Sequence, residues 1–145
     1  MSSFAFDYVI FVFGSALGVL QFTFARAGLN GLLFLRPWPR LTQVLALVVV
    51  AGTSVWFFGS EPRNIPDTGA GLEANSQAWM FAVATATAGA AIFLITSVIH
   101  HRWGRDHGWN SETDAWPPAG VDWLRRTTFA RALGLRFKAM ARRVG

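Results

Sequence analysis

The stretch from Ser97 to Trp109, SVIHHRWGRDHGW, holds all three histidines of the chain, His100, His101 and His107, with Asp106 beside them. Imidazoles and a carboxylate this close together are the donors that zinc or haem iron would take. Their spacing argues against it. If a helix runs through His100 and His101, the two side chains diverge by about 100°, so one metal cannot hold both. His107 returns to nearly the face of His100 but about 10 Å further along, whereas a zinc–nitrogen bond is about 2 Å. A bend at Gly104 would bring His107 and Asp106 back, yet nothing else in the sequence demands such a bend. A bis-histidine haem would draw its second ligand from another helix, and spans one and two hold no histidine, so that ligand would have to come from another subunit or a second copy of the chain. The expectation is therefore a polar collar, with His100, His101, Arg102 and Arg105 meeting lipid headgroups. No cofactor is expected, and metal or haem bound by His100, His101 or His107 is the alternative.

Other chemistry is thinly represented. The 145 residues include no cysteine, which excludes disulfides, thiolate metal sites and thiol catalysis. No phosphate-binding loop or nucleophile elbow is present. The polar stretch GSEPRNIPDTGAGLEANSQ reads as a connection, its acids too sparse for a calcium loop.

The elements that would position these residues follow from composition. Hydrophobic residues make up 52% of the chain and charged residues 14%, against about 25% charged in a soluble domain. The apolar residues are concentrated in three uncharged stretches, Tyr8 to Ala25, Leu41 to Phe58 and Gln77 to Ile99. Each is long enough to cross a hydrocarbon core of about 30 Å as a helix. Buried helices of a soluble bundle would each keep a charged stripe, and these have none. Between the first two, GLNGLLFLRPWPR either prolongs the first span or lies along the interface, with its prolines marking where the second must begin.

Orientation follows from charge. Arg26, Arg36 and Arg40 lie between spans one and two, and nine more basic residues follow span three, while Arg63 alone lies between spans two and three. Positive segments stay cytoplasmic, so the N-terminus is expected outside and the C-terminus inside. Tyr8, Trp56, Phe57, Phe58 and Trp79 fall at the outer ends, and Trp38 and Trp103 near the inner ones, as amphipathic rings at an interface would. Twelve of the thirteen basic residues are Arg, a bias that suggests a GC-rich, prokaryotic genome and hence a plasma (inner) membrane.

Within the spans, Gly14 and Gly18 share a face of the first, and Ala82, Ala86 and Ala90 form a row on the third, with Thr85 and Gly89 beside it. Small residues let helix backbones approach closely, either within the chain or against other subunits. No ionisable residue lies near the middle of a span, which disfavours a proton-coupled transporter. Gln21, Gln43, Thr53, Thr87 and Thr96 are expected to bond chiefly to their own helix backbones.

After a proline-containing linker, residues 121–145 carry seven basic groups and one acid, Asp122. Ala130, Leu133, Phe137, Met140, Ala141 and Val144 recur at spacings of three and four and form an apolar face. Trp123, Arg125, Arg131, Phe137, Arg136, Lys138, Arg142 and Arg143 are the expected lipid- or partner-binding residues. An anionic inner leaflet or a protein partner is favoured over nucleic acid, because one face is apolar.

The sequence thus predicts an all-α membrane protein with three transmembrane helices and a C-terminal basic amphipathic helix. Residues 1–100 form the transmembrane domain, 101–120 a cytoplasmic polar linker and 121–145 the basic helix. The expected role is non-catalytic, as an accessory or anchoring subunit that associates with other integral membrane subunits or with itself. The layout also resembles that of one class of phage holins, in topology and not in any sequence motif, which implies membrane permeabilisation as an alternative. A haem- or quinone-linked redox subunit using His100 or His101 is the third reading.

Overall fold

A computed structural model describes residues 4–60, 74–102 and 121–144. Among them the chain is all-helical, with four α-helices: α1 (Phe4–Ala27), α2 (Pro39–Gly59), α3 (Ala74–Ile99) and α4 (Phe129–Val144). The first three are long and apolar enough to cross a membrane. Each extends a few residues beyond the uncharged stretch that announces it, because a helix continues until its backbone is stopped. For α1 the stop is Gly28, at φ +70°. The Gly28 N–H donates to the Ala25 carbonyl and the Leu29 N–H to that of Phe24. This double closure of the last turn favours glycine at the left-handed position, and Leu29 and Phe24 join the same apolar cluster just beyond it. At α2 the start is set by Pro39, whose missing N–H costs nothing in the first helical turn.

α1 is the central helix, with α2 packed on one side and α3 on another. Close approach to α2 depends on Gly14 and Gly18. A Cβ at Gly14 would lie 2.6 Å from Thr53 Cγ2, and one at Gly18 would lie 2.7 Å from Val50 Cγ2 and 2.8 Å from the Ala46 carbonyl oxygen. Rising numbers on α1 meet falling numbers on α2, so the pair is antiparallel. Thr53 sits 2.9 Å from the Val49 carbonyl, to which its hydroxyl donates, and 3.2 Å from Ser15 Oγ. With its proton so engaged, Thr53 accepts from Ser15, which adds one polar tie between two apolar helices.

α3 buries Ala84, Ala88, Ile92 and Thr96, a row with four-residue spacing. Its C-terminal turns lie beside the end of α1, where Ile92 joins Leu29 and Leu32 in one cluster. α3 therefore runs parallel to α1, as alternating spans require. At the opposite end Phe11 stacks on Phe57 at 4.6 Å, and Phe57 meets Phe58 edge-on at 5.2 Å. The bundle thus has an aromatic end, and a loop end formed by the reversal between α1 and α2.

The C-terminal segment differs from a single helix over 121–145. Asp122–Arg125 forms a 3-10 turn, and α4 starts only at Phe129. The turn is pressed against the reversal, where the Gly31 backbone meets the carbonyl oxygens of Leu124 and Thr127.

Candidate functional site

Most of the polar geometry among the described residues converges on the loop end. After Gly28 the chain makes a 3-10 turn at Asn30–Leu32 and folds back beneath α1. Gln21, buried in α1 at 3% exposure, holds this reversal. Its Nε2 donates to the Leu32 carbonyl at 2.8 Å, and its Oε1 accepts the Phe34 N–H at 3.1 Å. A primary amide is the side chain that can do both, supplying a donor to the buried Leu32 carbonyl and an acceptor to the half-buried Phe34 N–H. Gln21 therefore departs from the expected bonding to its own helix. Thr53, Thr87 and Thr96 do bond to it, through the carbonyls of Val49, Val83 and Ile92.

His100 closes the reversal from the other side. Its Nε2 lies 3.0 Å from the Leu33 carbonyl oxygen. A carbonyl oxygen only accepts, so Nε2 is the donor in this contact. The His101 ring turns elsewhere, with Nδ1 at 3.2 Å from the Val98 carbonyl on an exposed surface. The two rings thus have separate partners on separate faces. Among the described residues no group of three His, Cys, Asp or Glu side chains could hold a metal ion. His107, Trp103 and Arg105 lie outside the described residues.

The 121–128 segment lies over the reversal. A Cβ at Gly31 would overlap the Thr127 carbonyl oxygen and stand 2.8 Å from that of Leu124, so only a glycine permits this approach. Trp123, expected among the lipid- or partner-binding residues, is 5% exposed. It is buried with Leu124 among Leu29, Leu32 and Ile92, because the turn at Asp122–Arg125 directs its ring into the gap beneath α1 and α3. α4 is then fastened to α3 at two points. Phe129 stacks on Phe93 with centroids 4.5 Å apart, and the Ala130 N–H donates to Ser97 Oγ at 3.2 Å. The second contact satisfies one of the otherwise unpaired N–H groups at the helix start.

The remaining expected residues fall as follows. Arg125 pairs with Asp122 at 3.2 Å in the open. Arg131 is half-buried, and Arg136, Phe137 and Lys138 are exposed, while Arg142 and Arg143 continue the backbone of α4. Gly14 and Gly18 serve the α1–α2 contact. Ala82, Ala86 and Ala90 face away from the bundle, and a Cβ at Gly89 would meet nothing within 4 Å. An open depression of about 600 Å³ lies at Pro37, Trp38, Pro39, Arg40 and Leu41, where the chain enters α2.

Sequence reasoning gave Gln21 the wrong partners and passed over Gly31. A signal existed for both: a lone amide near the end of an uncharged span, followed closely by a glycine inside a reversal. No family model, curated protein or solved structure matches the chain.

Proposed function

We propose that this chain is a non-catalytic accessory or anchoring subunit of a larger complex in a prokaryotic plasma membrane. In this reading its N-terminus is outside and its C-terminal segment is cytoplasmic. One observation carries the reading: α3 presents a second row of small residues, Ala82, Ala86 and Ala90, to the surroundings, with open space at Gly89. Lipid requires no small side chains, whereas a neighbouring helix gains close van der Waals contact from them. The thin bundle leaves room for such a neighbour, since only 22%, 17% and 22% of the apolar windows of α1, α2 and α3 are buried.

Purification in mild detergent, with identification of co-purifying chains, tests the role. A86F should release a neighbour while leaving the helicity and thermal midpoint of the chain itself unchanged. Retention of every companion by A86F would refute the use of this face. Purification without companions, with abrupt loss of membrane potential on expression, would favour the holin-like reading.

The proposed orientation rests on the loop end, where Arg26, Arg36, Arg40, Arg102, Arg125 and Arg126 gather. Because the chain lacks cysteine, single cysteines at Thr68 and Ser111 report sidedness directly. An impermeant reagent added to intact cells should label the first and spare the second. The opposite pattern would invert the topology.

A further inference from the structure

Leu133, Phe137 and Met140 fall within about 60° of one another around α4. All three are exposed, Phe137 at 64% and Met140 at 61%. Ala132 and Leu135, through which α4 meets the apolar cluster beyond its first turn, lie about 110° and 170° round the helix from that face, and only Phe129, at the helix start, packs on the cluster from near it. Beyond Phe129, docking on the bundle leaves the apolar face of α4 uncovered at Leu133, Phe137 and Met140.

Depth, continuity and charge point to one occupant. The partners of the α4 start, Ser97 and Phe93, stand about 3 and 9 Å inward from Ile99, the last residue of α3, at 1.5 Å per residue. A helix lying in a bilayer surface sits about 5–10 Å into the boundary between headgroups and acyl chains, and with the end of α3 taken as that boundary the Phe93 contact falls within this depth. The same turns of α3 expose Leu94 and Val98, so the uncovered face of α4 begins beside a surface that is already apolar. Arg131, Arg136 and Lys138 supply positive charge along α4, and the one acid of the segment, Asp122, is paired with Arg125.

We propose that α4 is an interfacial helix whose partner is the anionic leaflet on the loop side of the bundle. Leu133, Phe137 and Met140 enter the acyl boundary, and Arg131, Arg136 and Lys138 engage lipid phosphates. This inference rests on α1, α2 and α3 crossing the membrane and is independent of membership in a complex, which co-purification reads separately.

The test uses the full chain with one spin-labelled cysteine in place of Phe137, Met140 or Lys138. Each variant is reconstituted in vesicles of phosphatidylcholine with phosphatidylglycerol, and in phosphatidylcholine alone. In the anionic vesicles, labels at 137 and 140 should be accessible to oxygen and protected from a water-soluble nickel chelate, and the label at 138 should show the reverse. One basic group near an anionic surface contributes about 1 kcal/mol, or about a fivefold factor. Adding R131Q, R136Q and K138Q together should therefore lower the ratio of immersed to released label about a hundredfold at low salt, and less at high salt. These are exposed or half-buried positions, and helicity checks that the fold persists. Labels at 137 and 140 open to the chelate in anionic vesicles would overturn the proposal. Labels shielded from both reagents would overturn it in favour of a protein cover. Immersion unaffected by lipid charge and by the triple substitution would overturn the anionic component.

Discussion

Replacing Gln21 with Leu keeps the volume of the side chain roughly constant and removes two hydrogen bonds, to the Leu32 carbonyl and from the Phe34 N–H. Leu32 is almost wholly enclosed, so its carbonyl has no water to turn to. Leaving a buried polar group without a partner costs about 1–3 kcal/mol, and losing the half-buried Phe34 contact adds about 1 kcal/mol, which sets the loss at about 2–4 kcal/mol. Polar contacts between membrane helices average nearer 0.6 kcal/mol each, which lowers the floor to about 1 kcal/mol. A loss of about 2 kcal/mol would speed amide exchange at Phe34 about thirtyfold, if exchange follows local opening of the reversal. Q21E is the sharper variant. It keeps an acceptor for Phe34 but sets a carboxylate oxygen against the Leu32 carbonyl, so it should be no better than Q21L. Exchange mass spectrometry over residues 29–36 and thermal unfolding in detergent measure both effects. Unchanged exchange in Q21L, or a Q21E protein as stable as the parent, would refute the account of the reversal.

Alanine at the glycines should separate packed from open positions. G18A should cost about 1–3 kcal/mol, as overpacking does, and more than G14A, because its new methyl meets the Ala46 backbone as well as a side chain. G89A, with nothing near it, should leave the thermal midpoint unchanged or raise it. For the histidines, H100A should lose about 0.5–1.5 kcal/mol with the Leu33 contact, and H101A should be neutral, both read as thermal midpoints. The absorption spectrum and metal content of the parent protein should show neither haem nor stoichiometric zinc or iron; a Soret band would promote the redox reading.

The number and approximate extent of the apolar helices were legible in the sequence because they are local properties. A hydrocarbon core requires about 20 apolar residues in succession, and Pro39 marks a helix start by its own backbone chemistry, whereas the stop at Gly28 showed only in the backbone. Which faces meet was not legible. Gly14 and Gly18 turn to α2, and on α3 the row Ala84, Ala88, Ile92 and Thr96 is buried while Ala82, Ala86 and Ala90 face out. In water, hydropathy would separate such rows, but here lipid and neighbouring helix are equally apolar, so one-dimensional pattern carries no contrast between them. The partners of Gln21 and His100 and the inward turn of Trp123 were likewise undecided until the chain reversed at Gly28 and Gly31 admitted the Thr127 carbonyl. Those contacts join residues far apart in sequence, and only the tertiary packing brings them within reach.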